Sequence, residues 1–214
     1  MSETEEIKDT YLTIASSSEG LYKEKMSKFL AFAEPCRTIE EAKEIVGMYK
    51  KEYYDARHVC WAYMLGWERK NFRSNDDGEP SGTAGKPILG QINSFGLTDL
   101  VIIVVRYFGG IKLGTSGLIE AYRAAAAEAI NAATIEERLV EDIIEIKFEY
   151  PSVGEVMRIV KEENATVLKQ NFSLDCRLTL SLRLAGMPRL ITRLEQLRMV
   201  TFLNNEITEE EEEQ

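Results

Sequence analysis

Cysteine is scarce in this chain: Cys36, Cys60 and Cys176 stand far apart and none belongs to a Cys-x-x-Cys pair. A disulfide framework and a structural zinc site are thereby disfavoured, and a reducing, cytoplasmic setting is expected. Long apolar runs are missing too. The longest purely aliphatic stretch, Leu100 to Val105, has six residues, against about 20 for a membrane-spanning helix. No membrane association is expected. The first residues, MSETEEIKDTY, are acidic and lack an apolar core, so they do not read as a secretory signal. Histidine occurs once, as His58, which excludes any site built from two histidines of one chain. A surplus of positive charge is also absent: the formal net charge is −10.

That charge is unevenly spread. Residues 206–214 hold six glutamates and no base; residues 139–205 hold nine acidic and nine basic side chains; residues 1–138 hold 21 acidic and 17 basic. The body is only mildly acidic, and the terminal run reads as a solvated tail. Long-range attraction to nucleic acid is not expected, although a local basic patch is compatible with these counts. The 214 residues, 44% of them hydrophobic and 29% charged, have ordinary globular composition and suit one large domain or two small ones.

Hydrophobic spacing supplies the elements. A strand is expected from Tyr11 through the SSSEGLYKEK stretch, and a second over Phe29–Ala33, ended by Pro35. Thr38 and Glu41 have capping-box spacing, and Ala42, Ile45, Val46, Tyr49 and Tyr53 follow at helical intervals, which predicts a helix over Ile39–Glu52. His58–Leu65 reads as a strand. Asn71–Gly90, full of Gly, Pro, Asp and Ser, reads as a long loop, in which Gly82–Gly85 is a possible helix start needing close packing. Leu100–Val105 lacks polar alternation and is expected to be buried on both faces. After the glycine-rich RYFGGIKLGTSG, Ser116 is a candidate cap for a helix over Gly117–Ala133, whose alanines would let it approach a sheet.

The character changes between Ile135 and Val140. Ile144, Ile146 and Phe148 alternate with charged residues; Ser152 and Glu155 have capping-box spacing before a helical face; Thr166–Phe172 reads as a strand and Asn171–Asp175 as a turn. Cys176 to Leu184 alternate cleanly, Pro188 opens a helix, and Met199–Leu203 closes the series. The order is βαββαβ, the ferredoxin-like arrangement.

Two segments carry the chemistry: Asp76–Gly90, DDGEPSGTAGKPILG, and Val104–Tyr122, VVRYFGGIKLGTSGLIEAY. Together with Ala56–Tyr63, ARHVCWAY, they resemble the IMPACT family, whose bacterial members include YigZ. Val59 stands where many bacterial members carry a second polar residue. The resemblance implies an α+β protein. An N-terminal β-α domain like the second domain of a ribosomal small-subunit protein, residues 1–138, would precede a ferredoxin-like domain, residues 139–205, and the acidic tail, 206–214. It also implies a role in translation control, eukaryotic relatives acting through a protein partner.

Read from the residues themselves, Gly109, Gly110, Gly114 and Gly117 free the backbone before a helix start. Arg106 and Lys112 add positive charge there, and Thr115 and Ser116 add hydroxyls. This suits a phosphate or carboxylate, or merely a tight strand-to-helix turn. It is neither a Walker A loop nor a dinucleotide-binding fingerprint. Asp76, Asp77 and Glu79 could hold a hard cation, but pairing with Arg106 or Lys112 is the simpler use of them. Ser81 and Thr83 complete the supporting loop. His58 is a possible base or a hydrogen-bonded strand histidine. Cys60 falls on its face of the strand, but i and i+2 seldom give thiol–imidazole geometry. Trp61, Tyr63, Trp67, Tyr107 and Phe108 could stack on bases or fill a core.

The expectation is therefore a non-enzymatic binding module, contacting RNA or the ribosome through the glycine-rich loop, with no cofactor, no metal and no catalytic residue. A protein partner is possible. The alternative is an enzyme acting on a phosphorylated or peptidic small molecule in the same cleft.

Overall fold

The computed structural model describes residues 9–173 and 175–203. They form a mixed α+β structure of two compact units, one comprising Thr10–Arg138 and the other Asp9 with the chain from Leu139.

In the first unit, strands β1 (Thr10–Ile14), β2 (Ser18–Glu24) and β3 (Ser27–Pro35) lead into helix α1 (Ile39–Glu52). Then come β4 (His58–Leu65), β5 (Asn71–Asn75), α2 (Gly85–Ser94), β6 (Leu100–Tyr107), α3 (Gly114–Ala132) and β7 (Ile135–Leu139). An antiparallel sheet runs in the order β2-β3-β6-β4-β5, and β1 pairs with β7. The capping box forms as the spacing predicts: Glu41 N–H donates to Thr38 Oγ1 at 3.1 Å and Thr38 N–H to Glu41 Oε2 at 3.4 Å.

The aliphatic run lies in β6, at the centre of the sheet. Val101, Ile103 and Val105 face α1 with Phe32, Val59 and Tyr63. Leu100, Ile102 and Val104 face the layer of α2 and α3 with Cys60, Ala62, Ile88, Tyr122 and Ala126. Covering on both faces is why this strand carries no polar alternation. On the α3 side Gly20 is necessary: a Cβ there would strike the backbone of Glu128 and Ala129. Parity then decides where the polar ends of the strands go. Arg106 continues the Ile102–Val104 series, and His58 shares the Cys60 face. Arg106 is paired across the sheet with both His58 and Phe29. Phe29, Arg106 and His58 thus form one row beneath the start of α3.

Four expectations need correction. The strand read from Tyr11 onward is two strands, separated by a bend at Ala15–Ser17, because β1 and β2 have different partners. The loop read over Asn71–Gly90 contains only nine irregular residues, 76–84. Its first residues, Asn-Phe-Arg-Ser-Asn, form the exposed edge strand β5, whose polar composition is what an unpaired edge tolerates. Its last residues open α2, with Pro87 in the first turn, where a missing N–H does no harm. Helix α3 starts at Gly114, so Ser116 lies inside its first turn and does not cap it. Ser152 makes no capping hydrogen bond either: it ends a 3-10 turn and is already in helical conformation when α4 begins.

The second unit contains β8 (Glu141–Glu149), α4 (Val153–Glu162), β9 (Thr166–Asn171), β10 (Asp175–Arg183), α5 (Met187–Glu195) and β11 (Val200–Phe202). Its antiparallel sheet runs β11-β8-β10-β9. Alternate residues Ile144, Ile146, Phe148, Cys176, Leu178 and Leu180 pack beneath Val156, Ile159, Leu190 and Leu194. The Asp9 carboxylate accepts from Arg183 Nε and Nη2, and its backbone carbonyl accepts the Val140 N–H at 2.7 Å. The glutamate run at 206–214 lies outside the described residues.

Candidate functional site

The nine residues between β5 and α2 fold back on the end of β4 and are fixed by their own carboxylates. Asp76 accepts three backbone N–H groups: Gly82 at 2.8 Å, Ala84 at 3.0 Å and Gly85 at 2.8 Å. It thereby satisfies the opening of α2, which has no side-chain cap of its own. Burial pushes the Asp76 carboxyl up, but these donors and Lys86 outweigh it and hold the group below its ordinary value. Asp77 accepts the Val59 N–H at 2.7 Å and pairs with Lys50 at 2.5 Å. Thr83 donates its hydroxyl to the Pro80 carbonyl at 2.6 Å. Ser81 is exposed. Asp76 and Thr83 are thus occupied in building the loop.

The loop delivers Glu79 into the protein. Glu79 Oε1 accepts from Arg106 Nη1 at 2.5 Å and from the Tyr122 hydroxyl at 2.9 Å. His58 Nε2 is 3.9 Å from the same oxygen. His58 Nδ1 lies 2.8 Å from the Asp77 carbonyl oxygen. A carbonyl only accepts, so Nδ1 carries a hydrogen, and Nε2 is the nitrogen turned toward Glu79. Cys60 Sγ sits 3.0 Å from the Asp76 carbonyl and 3.3 Å from the Tyr122 hydroxyl. Burial pushes both the Cys60 thiol and the Tyr122 hydroxyl upward, away from ionisation. A thiolate nucleophile is therefore disfavoured at Cys60.

Above this row lies a cleft of about 600 Å³, lined by Arg57, His58, Glu79, Pro80, Arg106, Phe108, Lys112, Leu113, Gly114, Thr115 and Leu118. Gly114 and Thr115 begin the nineteen-residue α3, whose first turn has neither a side-chain cap nor an acidic residue. Its leading N–H groups and the positive end of its dipole therefore adjoin the cleft uncompensated. Arg106 is only 6% exposed. Its guanidinium lies 5.5 Å from the Phe29 ring centre and 5.6 Å from that of Phe108. Its Nε is buried without a hydrogen-bond partner among the described residues.

The cleft brings together His58, Glu79, Arg106, Lys112, Gly114 and Thr115 of the residues singled out in the sequence. Gly109 serves the scaffold: a Cβ there would strike the backbone of Met26 and Ser27, and its N–H donates to Ser27 Oγ at 3.1 Å. Gly110, with φ of +88°, turns the chain outside the lining. Ser116 is exposed on α3, away from the lining. Of the aromatics, Tyr63 belongs to the core, whereas Phe108 stands 49% exposed at the cleft. Sequence reasoning missed Arg57 and Tyr122. Tyr122 had one signal: a hydroxyl on a helix face otherwise made of Leu, Ala and Ile requires a buried partner.

The Impact N-terminal domain model matches residues 25–130, a span that contains every residue of the cleft. IMPACT family member YvyE of Bacillus subtilis is 34% identical over 164 residues, 77% of this chain and 76% of that protein. The chain belongs to the IMPACT family. IMPACT family member YigZ of Escherichia coli is 31% identical over 150 residues, 69% of this chain and 74% of that one. A solved structure described as a crystal structure of an hypothetical protein superposes with a TM-score of 0.71 at 26% identity, covering 92% of this chain and 97% of that chain. The family resemblance carried by the two glycine-containing segments is thereby shown. Among the described residues no helix is long and apolar enough to cross a membrane.

Proposed function

We propose that this IMPACT-family protein is a non-enzymatic binding module of translation control, whose cleft at the start of α3 receives a phosphate group of RNA, free or in the ribosome. One observation carries the reading. An uncapped helix start, the exposed cations Arg57 and Lys112 and the buried Arg106 line one recess, an arrangement suited to an anion. The unionised Cys60 and Tyr122 and the fully engaged Oε1 of Glu79 favour binding over covalent chemistry. The βαββαβ order with sheet order β11-β8-β10-β9 supports a ferredoxin-like second domain, beside a first domain of the ribosomal-protein type. Three buried free cysteines suit a reducing cytoplasm.

The test is binding of labelled single-stranded RNA at low salt by the full chain and by its Arg57→Ala, Lys112→Ala double variant. Binding lost in the double variant supports the cleft. No binding by natively folded protein rejects the reading. An enzyme acting on a phosphorylated small molecule is favoured by a different observation, the His58 Nε2 that faces the cleft with its ring oriented by Asp77. Turnover of phosphorylated metabolites, abolished by His58→Ala, would select that reading.

A further inference from the structure

The cleft has a charge count that distinguishes between kinds of phosphate. Arg57, Arg106 and Lys112 bring three positive charges, and Glu79 neutralises one through its pair with Arg106. Two formal charges and the α3 dipole are left. A phosphate monoester carries about −1.5 to −2 at neutral pH, whereas an internal diester carries one negative charge. The monoester matches the remaining charge.

The surroundings point the same way. A second recess shares Arg57, His58 and Phe108 with the cleft and continues along Asp55 and Asp77. Asp55 Oδ1 accepts the Tyr107 hydroxyl at 2.9 Å, and Asp77 pairs with Lys50. A strand threading both recesses would set its next phosphate against these carboxylates. On another side the lining is apolar, from Pro80, Leu113 and Leu118. Beyond the shared Arg57, the second recess presents Asp55 and the Lys50-paired Asp77 and adds no unpaired cation, and the other side is apolar, so a group that ends in the cleft fits better than one that passes through. Phe108, half exposed beside Arg106, offers a ring face to a base or sugar attached to that group.

We infer that the cleft selects a phosphate monoester, a terminal phosphate, over the phosphodiester of a continuous strand. This rests on the reading of the cleft as an anion site. Lys112 and Arg57 supply the charge, and the first N–H groups of α3 take the oxygens.

The test titrates the full-length protein with a short uridine oligonucleotide in four forms: 5′-phosphate and 5′-hydroxyl with a label at the 3′ end, and 3′-phosphate and 3′-hydroxyl with a label at the 5′ end. Uridine monophosphate serves as competitor. One extra charge-assisted hydrogen bond predicts that a phosphorylated end binds about tenfold or more tightly than its hydroxyl counterpart. The preference is expected to vanish in the Arg57→Ala, Lys112→Ala variant, whose replaced side chains are exposed. Thr115→Glu, which sets a carboxylate at the helix start, is expected to remove it as well, with unfolding curves checking that both variants fold. Equal binding of phosphorylated and hydroxyl ends overturns the monoester preference and leaves the RNA reading standing. Uridine monophosphate competing as tightly as the phosphorylated oligonucleotides upholds the monoester and overturns RNA as its source. No binding of any probe by folded protein overturns both.

Discussion

Arg106 Nη1 and Glu79 Oε1 meet 2.5 Å apart, with both side chains almost wholly removed from water. Strand parity brings one and the Asp76–Ala84 turn brings the other, so this ion pair ties the loop to the sheet, beside the Val59 N–H that Asp77 accepts. The Tyr122 hydroxyl, donated from α3 to the same oxygen, ties the helix layer to it.

Removing one partner of this pair should be costly. Glu79→Ala strands the Arg106 guanidinium and the Tyr122 hydroxyl together, and a loss of about 3–5 kcal/mol is expected. Arg106→Met combined with Glu79→Leu should lose much less than the sum of the two single changes, since neither charge is then left alone. Urea unfolding of the natural protein, Glu79→Ala, Arg106→Met, Glu79→Leu and the Arg106→Met, Glu79→Leu double variant measures this. Additive losses would mean that the two groups are solvated separately.

Asp76 makes stability depend on acidity. Its folded pKa lies below its ordinary value of 3.8, so the folded state binds the proton less readily than the unfolded chain. The stabilisation is therefore fully present above the unfolded value and is lost as pH falls through the lower folded one. Asp76→Asn should unfold at lower urea than the natural protein at neutral pH, and the gap should narrow below about pH 4. A gap constant from neutral pH down to pH 2 would show that the charge of Asp76 contributes nothing.

What could be read in advance followed local signals. Helix α1 announced itself by Thr38, Glu41 and an unbroken apolar period, and β6 by six aliphatic residues in a row, because both patterns depend only on near neighbours in the chain. Strand β5 was hidden: an edge strand exposed to water has no buried face to impose alternation, so Asn71–Asn75 looked like a loop. The pairing of the acidic loop with Arg106 followed from charge alone. The choice of Glu79 over Asp77 did not, since it depends on where the turn at Asp77 and Gly78, both at positive φ, directs each side chain. Arg57, just before β4, is held at the cleft by its N–H donating to the Arg106 carbonyl at 3.0 Å, a long-range contact that no local pattern reveals.

The second unit has its own core, so residues 139–205 expressed alone should unfold cooperatively. That fragment lacks Asp9, which accepts from Val140 N–H and holds Arg183. Its transition should therefore fall at lower denaturant than that of the same unit in the full chain. Calorimetry or urea-dependent circular dichroism resolves this, and a featureless transition would show that the unit depends on the rest of the protein.

Salt dependence reports how many phosphates the cleft engages. Arg57 and Lys112 are inferred to hold one terminal phosphate, so losing that contact lowers the slope of log K against log salt by roughly 0.7, the value for one phosphate of a single strand. Arg57→Ala with Lys112→Ala should show that change, because both side chains are exposed and line the cleft. Binding that is tight and indifferent to salt would instead identify an apolar protein partner.

Thr115→Glu sets stability and binding against each other. Thr115 is exposed in the first turn of α3, where no acidic residue answers the positive end of the helix. A carboxylate there should raise stability by about 0.3–1 kcal/mol at low ionic strength. The same charge stands where the anionic ligand is proposed to sit, so RNA binding should weaken by about tenfold or more. Thr115→Gln, of nearly equal size and uncharged, should leave stability close to that of the natural protein and weaken binding far less. Thermal unfolding and a binding titration on the same samples separate the two effects. If Thr115→Glu stabilises the protein but leaves RNA affinity unchanged, the start of α3 is an unused helix end and the anion site lies elsewhere.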